Sequence, residues 1–317
     1  MITQPGRHRN VKAGGFLSAQ TRRILNKNGP TAYTERLSPG ETFIKQLIDF
    51  VRRHPGLFVL TGAGVSTDSG IPDYRDQDGS WKTSTPIQGP AFVRSESVRK
   101  RYWARSLIGW RHFGRAAPNA AHHALAALEE LGYLRHLLTQ NVDGLHQRAG
   151  SRAVTDLHGN LARVICLNCR QTFSRAVLQT RLEALNPDFL NIAAVEAPDG
   201  DARLETDFDA FKPVDCQACG GVLKPDVVFY GENVPLPRVA RAMDELQQSD
   251  ALLIVGSSLM VYSGYRFCLR AAELGLPIAA INLGKTRADD LFRFKISANC
   301  GATLDRLLAG LSERESA

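Results

Sequence analysis

Short apolar segments alternate with longer amphipathic segments along most of this chain. Residues 57–60, 134–138, 252–255 and 278–281 are largely apolar and are followed by small or polar residues. Runs of this length predict strands that are buried on both faces of a parallel sheet. Residues 120–132 instead carry apolar positions at helical spacing, after an asparagine that can cap a helix and before a closing glycine. The alternation predicts an α/β protein with a doubly wound parallel sheet.

The stretch 57–75 carries the first sign of a binding site. Gly62 and Gly64 follow the strand, and glycines there permit a tight turn and leave main-chain N–H groups open to a phosphate. Ser66 is predicted to cap a helix that a proline then ends, and Asp73 and Arg75 add a carboxylate and a guanidinium. The dinucleotide fingerprint has a third glycine and an acidic residue about twenty positions further on, and neither is clearly present here. A plain tight turn therefore stays an alternative to a nucleotide site.

The other predicted strands also end in small or polar residues. These strand ends are 139–143, 256–258 and 282–284. In a doubly wound sheet, ligands bind beyond the carboxyl ends of the strands. We therefore expect four strand ends to converge on one crevice.

Composition and charge describe the body of the chain as near neutral. The 317 residues are 44% hydrophobic, which is enough for one sizeable core with a small insert. Residues 1–34 hold six basic residues and no acid, so the net charge of +7 leaves about +1 for the rest. No basic stripe favours nucleic acid, and no apolar run reaches the roughly twenty residues that cross a bilayer. Residues 1–36 are predicted to be a basic disordered tail, with an organellar transit peptide as the alternative.

Four of the six cysteines form two Cys-x-x-Cys pairs, which are Cys166 with Cys169 and Cys216 with Cys219. Two such pairs can supply the four thiolates of a tetrahedral zinc site. Because the protein supplies all four ligands, the metal is expected to be structural rather than catalytic. Redox pairs or four unrelated thiols are the alternatives, and Cys268 and Cys300 are each predicted to be a buried thiol.

The motifs, taken in order, resemble the sirtuins, the NAD-dependent protein-lysine deacylases. The resemblance covers about residues 40–310 and rests on 62–64 with 70–75, 139–146, 157–159, the cysteine pairs, 224–232, 256–259 and 282–284. Residues 101–105, 197–201 and 261–267 are similar to the class II branch. The resemblance implies NAD-dependent removal of acyl groups from protein lysine side chains, which gives nicotinamide, O-acyl-ADP-ribose and free lysine. It implies NAD+ and one structural Zn2+ as cofactors.

The resemblance also implies a domain organisation for residues 37–317. Its Rossmann-like parts are expected at 37–75, 119–160 and 226–310. A cofactor loop and helical part is expected at 76–118, and a small inserted zinc-ribbon and helical domain at 161–225.

The family's mechanism assigns roles to three residues. In sirtuins the acyl-lysine carbonyl oxygen attacks the nicotinamide ribose as nicotinamide leaves, and a histidine then takes a proton from a ribose hydroxyl. His158 matches that base, and an imidazole suits both protonation states near neutral pH. Asn141 and Asp143 match positions that hold the carboxamide and the base during NAD cleavage. His122, His123 and His146 are interpreted as structural.

The remaining NAD contacts implied by the resemblance belong to four strand ends and one cysteine. They are Thr61, Gly62, Ala63, Gly64, Ser66, Asp73, Tyr74, Arg75, Gln140, Val142, Gly256, Ser257, Ser258, Asn282, Leu283, Gly284 and Cys300. For each of these residues, a polar or small strand-end cap is the alternative.

The resemblance places the substrate peptide as a strand between 227–232 and 259–261. The implied contacts are Val227, Val228, Phe229, Tyr230 and Gly231. Recognition by β-augmentation reads mainly the peptide backbone, so we expect weak dependence on flanking residues.

A third site element concerns the acyl group. Tyr102 and Arg105 lie at i and i+3 on a predicted helix, 97–110, and sirtuins that remove dicarboxylic acyl groups carry such a pair. A basic surface helix is the alternative, and it would leave bulky uncharged acyl groups as the better choice. The 46 residues between Cys169 and Cys216 are longer than in most of the family, and 193–203 is expected to form either an extra loop over the acyl site or a solvated loop.

Two other functions compete with deacylation. The same NAD cleavage could serve ADP-ribosyl transfer to protein, or the chain could be a non-catalytic NAD-binding or zinc-ribbon module. The intact set of Asn141, Asp143 and His158 favours an enzyme of the acyltransferase class. We expect a monomer that acts on acylated lysines of proteins, without direct nucleic-acid or membrane binding. It is expected in the cytoplasm, or in the mitochondrial matrix if the tail is a transit peptide.

Overall fold

A computed structural model describes residues 39–313 except 75, 77, 79, 81, 83–86, 194 and 205, and the tail predicted at 1–36 lies outside this range. Its strands are β1 (Leu57–Thr61), β2 (Leu134–Thr139), β3 (Val154–Asp156), β4 (Gly159–Cys166), β5 (Thr172–Ser174), β6 (Val195–Ala197), β7 (Asp201–Arg203), β8 (Leu223–Val227), β9 (Ala251–Val255), β10 (Ile278–Ile281) and β11 (Phe294–Ile296). Its helices are α1 (Pro39–Arg53), α2 (Gly89–Arg94), α3 (Glu96–Phe113), α4 (Ala120–Glu130), α5 (Leu145–Arg148), α6 (Arg175–Leu185), α7 (Leu236–Gln247), α8 (Tyr262–Glu273) and α9 (Cys300–Ser312).

Six strands form one parallel sheet in the order β11-β10-β9-β1-β2-β3. The chain moves from β1 to β2 on one side and later returns to β9 on the other side of β1. The topological switch point, where ligands bind in such sheets, therefore lies between β1 and β9. This arrangement confirms the doubly wound α/β prediction. All four predicted strands are present, and the short edge strands β3 and β11 were not predicted.

The sheet is buried because helices cover both of its faces. Leu57 and Val59 pack toward α1, α4 and α9, whereas Phe58 and Leu60 pack toward α7 and α8. Every residue of β1 and β9 is buried, as their continuous apolar composition predicted. None of the helices in the described ranges is long and apolar enough to cross a membrane.

The segment after β1 differs from the prediction. Two short 3-10 turns, Ala63–Val65 and Thr67–Ser69, replace the expected α-helix. Ser66 makes no side-chain cap, because its hydroxyl donates to Asp143 Oδ2 at 2.7 Å instead. The second turn ends at Gly70, whose φ of 81° is the left-handed conformation that glycine adopts without strain, and not at the proline. Asn119 does cap α4, accepting from Ala121 N at 2.9 Å as predicted.

A smaller structural layer lies in the region between β3 and α7. Strands β5, β4 and β8 form an antiparallel sheet, and β6 pairs with β7 as a separate hairpin. Helix α6 packs against α3 through a buried arginine, Arg175, which is 1% exposed. Its guanidinium lies 4.8 Å from the ring centroid of Trp110 and donates to Ser106 O at 3.1 Å. The finer domain boundaries given above stay a prediction.

The β6-β7 hairpin rests directly on α3. A Cβ atom at Gly109, in the middle of α3, would lie 2.3 Å from the carbonyl oxygen of Gly200 in the hairpin turn. Arg105, one turn earlier in α3, donates to Asp201 Oδ2 at 2.6 Å and to Ala202 O at 2.8 Å. A glycine and an ion pair therefore hold the hairpin against this helix.

We expect Gly109→Ala to lower the free energy of unfolding by about 1–3 kcal/mol, because the added methyl must push the hairpin or the helix away. Urea denaturation followed by circular dichroism measures the change. Gly40→Ala is the matched control, since a Cβ atom there would meet nothing closer than the end of Arg306 at 4.0 Å. Equal stability of the two variants would contradict the close packing of hairpin and helix.

Candidate active site

A cavity of about 710 Å³ opens where β1, β2, β9 and β10 end. The predicted residues that line it are Gly62, Ala63, Gly64, Asp73, Tyr74, Tyr102, Arg105, Gln140, Asn141, Val142, His158, Val227, Val228, Phe229, Tyr230, Gly231, Gly256, Ser257, Ser258, Asn282, Leu283, Gly284 and Cys300. The predicted convergence of four strand ends on one crevice is confirmed. Arg75 lies outside the described residues.

The glycines after β1 serve a different purpose from the predicted one. Gly64 N donates to Gly256 O at 2.9 Å, and Gly62 N donates to Val255 O at 3.3 Å. A Cβ atom at Gly64 would lie 2.9 Å from that same Gly256 oxygen. These two N–H groups are therefore not open to a phosphate, because they join the loop after β1 to the loop after β9.

His158 is held in the cavity wall by both of its ring nitrogens. Nδ1 lies 2.8 Å from the backbone oxygen of Gln140, and Nε2 lies 2.7 Å from Ser263 Oγ. A carbonyl oxygen only accepts, so Nδ1 carries the proton and Nε2 carries the lone pair. Burial lowers the pKa of His158 to about 4, and the positive charges of Arg238 and Arg266 act in the same direction. The ring is therefore neutral near pH 7, and its basic atom Nε2 faces Ser263 Oγ.

Three predicted cofactor residues do not line the cavity. Thr61 is fully buried and its hydroxyl lies 2.9 Å from His146 Nε2, and neither residue lines the cavity. Ser66 and Asp143 form a hydrogen-bonded pair, and Asp143 also accepts from Leu145 N at 2.9 Å. The polar atoms of these three side chains already have partners within the protein, and their contact with the cofactor stays a prediction.

That hydrogen-bonded pair supports a residue that does line the cavity. Asn141 Nδ2 donates to Ser66 Oγ at 3.0 Å and to Gly62 O at 3.1 Å. Both amide protons of Asn141 are thereby engaged, and Oδ1 is left as the acceptor. Burial raises the pKa of Asp143, while the hydrogen bonds from Leu145 and Ser66 oppose that shift.

The interpretation of His122 and His146 as structural agrees with their surroundings. His122 is fully buried, lies 3.1 Å from Asn119 Oδ1 and 3.4 Å from Ser66 Oγ, and does not line the cavity. His146 is 1% exposed, and its ring lies tilted against that of His122 at a centroid distance of 4.8 Å. Burial lowers the pKa of both rings, to about 4 for His122, so they are neutral. His123 is exposed on α4.

Sequence reasoning missed Ser263 and Arg266 on the first turns of α8, both of which line the cavity. The sequence gives only a weak indication of these two residues, since they are a serine and an arginine early in a helix that follows the strand-end loop 256–258. Lys224 and Glu232 were quoted only as motif letters. Their salt bridge at 3.0 Å, together with Phe229 N donating to Glu232 Oε2 at 2.9 Å, holds the expected substrate-binding segment in place.

The acyl-site candidates border a part of the cavity lined by aromatic rings and the hairpin. Tyr102 packs edge to face with Phe92 and Phe229, and burial raises the pKa of its hydroxyl well above its usual value. Ala197, Pro198 and Asp201 of the hairpin line the same cavity as Tyr102 and Arg105. A basic surface helix and a purely solvated insert are therefore both wrong as descriptions of these residues. Arg105 is already paired with Asp201, which the sequence did not indicate.

The four cysteine sulfurs lie within 4.8 Å of one another. Two of the distances are 3.5 Å, between Cys166 and Cys219, and 3.7 Å, between Cys169 and Cys216. A disulfide needs about 2.05 Å. A zinc ion with sulfur ligands at about 2.3 Å separates them by about 3.8 Å in a tetrahedron. The cluster therefore fits one structural zinc ion and not a pair of disulfides.

Comparison with known proteins gives three findings of the same kind. The sequence profile described as the Sir2 family matches residues 62–263. The chain is 59% identical over 265 residues to "NAD-dependent protein deacetylase 2" of Bradyrhizobium diazoefficiens, covering 83% of this chain and 97% of the relative. It is 46% identical over 302 residues to "NAD-dependent protein deacylase Sirt4" of Drosophila melanogaster, covering 94% and 97%.

A solved structure is similar over the same part of the chain. It is a Sir2 protein with a deacetylated peptide and 3′-O-acetyl ADP-ribose, superimposed with a TM-score of 0.69 at 29% identity. The superposition covers 84% of this chain and 98% of that one.

The cysteine cluster predicts one zinc per chain. Cys169→Ser should lose the metal and unfold the β4-β5-β8 layer, because metal binding of this kind is folding free energy of about 10 kcal/mol or more in isolated peptides. Elemental analysis and thermal unfolding measure the two effects. Cys268→Ala, a buried thiol on α8, is the control and should retain stoichiometric zinc. Full stability of Cys169→Ser, or no zinc in the unaltered protein, would show that the cluster is not a structural metal site.

Proposed function

The chain belongs to the Sir2 family, and from that membership we propose how its cavity carries out the reaction. It is an NAD-dependent enzyme that removes acyl groups from protein lysine side chains, giving nicotinamide, O-acyl-ADP-ribose and free lysine. Its cofactors are NAD+ and one structural zinc ion. The motifs that resemble class II, together with the Sirt4-like relative, support placing it in the class II branch.

His158 is proposed as the general base, and its geometry is the observation that carries this role. NAD+ supplies the ribose carbon that accepts the acyl oxygen when nicotinamide leaves, and it supplies the hydroxyl whose proton must then be removed. His158 is neutral and lines the cavity. Its Nδ1–H donates to Gln140 O, so the lone pair is on Nε2. A ring fixed in this tautomer accepts a proton only at Nε2.

Asn141 is proposed to hold the carboxamide of the cofactor. Its amide protons are engaged by Gly62 O and Ser66 Oγ, so Oδ1 is the atom left to accept a carboxamide N–H. Asp143 is proposed to act from behind the wall, by fixing Ser66 and through it Asn141. This differs from direct contact with the cofactor, and it follows from the hydrogen bonds of the three side chains.

The other end of the cavity is proposed to take the adenosine part of NAD+. Ser257 Oγ accepts from Gln140 Nε2 at 2.6 Å, which joins the strand ends of β2 and β9 across the switch point. Asn282 Nδ2 donates to Gly284 O at 2.8 Å and so keeps the loop after β10 compact. Gly62, Ala63, Gly64, Asp73, Tyr74, Arg75, Val142, Gly256, Ser258, Leu283 and Cys300 complete the proposed cofactor contacts.

The peptide is proposed to lie as a strand between 227–231 and 259–261. Leu259 has a positive φ of 57° although it is not a glycine, and its N–H donates to Ser257 Oγ at 3.2 Å. Strain of this kind persists where the surroundings fix the backbone, and it is frequent at ligand clamps. On the opposite side, Val228 N donates to His158 O at 2.7 Å, which ties the peptide-binding segment to the catalytic histidine.

We propose that Arg105 meets the distal end of the acyl group. Its guanidinium borders the cavity, but Asp201 already neutralises much of its charge from 2.6 Å away. A distal carboxylate on the acyl group would therefore share the guanidinium with Asp201 at the cost of like-charge repulsion. The pair sets how well a charged acyl group is tolerated.

ADP-ribosyl transfer to protein stays the second candidate activity, since it needs the same NAD cleavage. Incubation with NAD+ and a panel of acylated peptides separates the possibilities, when nicotinamide release and peptide mass are followed together. Loss of acyl mass indicates deacylation, gain of ADP-ribose mass indicates transfer, and no nicotinamide release indicates a binding module. We further propose a monomer in the cytoplasm that acts on proteins, without direct contact to nucleic acid or membrane.

Substituting His158 by Ala or Tyr should lower deacylation by at least a hundredfold, the lower part of the range for general base catalysis. NAD+ affinity should stay within about threefold, because Asn141 and the strand-end loops are untouched. His123→Ala, on the exposed face of α4, is the control and should behave like the unaltered enzyme. Multiple-turnover deacylation by His158→Ala would remove this residue from the mechanism.

Arg105→Met should lower kcat/KM for glutaryl peptides about ten- to a hundredfold more than for acetyl peptides, as expected for a charged hydrogen bond of about 1.5–3 kcal/mol. Asp201→Asn should act in the opposite direction and raise the glutaryl to acetyl ratio. Parallel kinetics on both peptides provide the two ratios. Equal losses on both peptides in Arg105→Met would assign Arg105 to the fold and not to acyl recognition.

A further inference from the structure

Ser263 lies beside His158 in the wall of the cavity. Its Oγ lies 2.7 Å from His158 Nε2, and both residues line the cavity. Because the Nδ1 proton of His158 is on the side of Gln140 O, Nε2 has no proton and must accept. Ser263 is therefore the donor, and the lone pair assigned to base catalysis is already occupied by a serine proton.

The serine is kept in this place by the packing of α8. Gly264, the next residue, has so little room that a Cβ atom would lie 2.4 Å from Gln140 Oε1. Gln140 is in turn fixed by its bond to Ser257 Oγ and by its backbone oxygen on His158. The first turn of α8 therefore packs against the loop after β2, and that loop holds His158. This close packing brings Ser263 within hydrogen-bond distance of the histidine.

We propose that Ser263 is a catalytic residue that relays the proton from the ribose hydroxyl to His158. This inference rests on the proposed base role of His158. Ser263 Oγ donates its one proton to Nε2 and keeps two lone pairs that can accept. A hydroxyl bound in the cavity can therefore donate to Ser263 Oγ. Direct transfer to Nε2 would first require the existing hydrogen bond to break.

The relay balances as two coupled proton transfers. The ribose O–H bond breaks and its proton forms a new O–H bond on Ser263, while the original serine proton moves to Nε2. Ser263 ends neutral and His158 ends as the cation. The electron pair of the broken bond stays on the ribose oxygen, which uses it to attack the acyl carbon. No oxidant, reductant or further reactant is needed.

The charged groups around His158 destabilise a positive charge on its ring, so the protonated ring would be short-lived. Arg238 and Arg266 both disfavour the imidazolium, and Arg238 donates to Leu157 O at 3.2 Å, next to the histidine in the chain. The ring that receives the proton therefore returns it readily, which suits a base that must be neutral at the start of each cycle.

The test compares Ser263→Ala with the hydroxyl-retaining Ser263→Thr and with His158→Ala. In the cofactor-free protein, the 15N resonance of His158 Nε2 should move downfield in Ser263→Ala, because the lone pair loses its donor, and return toward the original position in Ser263→Thr. Single-turnover deacylation in Ser263→Ala should fall about ten- to a hundredfold, less than the loss of a complete general base. Exchange of labelled nicotinamide into NAD+, which precedes the proton step, should change less than about twofold.

The number of protons transferred in the rate-limiting step distinguishes a relay from a serine that only orients the histidine. Single-turnover rates measured across mixtures of H2O and D2O should give a curved plot for the unaltered enzyme and a straight line for Ser263→Ala, where one transfer remains. Deacylation by Ser263→Ala at or above the original rate, an equal fall in nicotinamide exchange, or a straight plot for the unaltered enzyme would overturn the relay. If His158→Ala is inactive while Ser263→Ala is normal, only the relay fails. If His158→Ala is itself active, the proposed base role fails.

Discussion

The whole active site depends on the close approach of two loops at the switch point of the sheet. The loop after β1 and the loop after β9 touch backbone to backbone, with Gly64 N bonded to Gly256 O at 2.9 Å. Gly256 has a φ of 60°, and a Cβ atom there would lie 2.5 Å from Val65 N. No larger residue fits at this contact without moving one loop. Because the two strands are neighbours, this contact brings the loops after β1 and β9 together in the wall of one cavity.

A buried polar layer behind that contact gives the cavity wall its rigidity. Ser66 accepts from Asn141 and donates to Asp143, so the Ser66 hydroxyl, the Asn141 amide nitrogen and the bonded Asp143 oxygen all have partners. A buried polar group without a partner costs about 1–3 kcal/mol, so the native orientation of each group is strongly preferred over alternatives that leave one unpaired. The result is that the cavity-facing amide of Asn141 is held by two residues that do not line the cavity.

The layer that carries the four cysteines is connected to the same cavity through helices α6 and α3. The first Cys-x-x-Cys loop follows β4, and the second precedes β8. Helix α6 follows directly after β5. Arg175, the first residue of α6, is buried against Trp103 and Trp110 of α3, at 5.6 Å and 4.8 Å from their ring centroids. Helix α3 carries Tyr102 and Arg105 into the cavity. The packing of α6 on α3 therefore connects the cysteine-bearing layer to the helix that carries Tyr102 and Arg105.

The sequence by itself determined the four central strands of the parallel sheet, the cap of α4, the cysteine set and the strand ends that meet. These features are local, because a run of apolar residues, an asparagine before a helix or a Cys-x-x-Cys spacing acts over a few neighbouring residues. It did not determine hydrogen-bond partners that lie far apart in the chain. Ser66 bonds Asp143, 77 residues away, instead of capping a helix, and Arg105 bonds Asp201, 96 residues away. His158 bonds Ser263 across 105 residues. Only the tertiary structure decides such pairs, because a side chain that can donate to several partners uses the one that packing brings within reach.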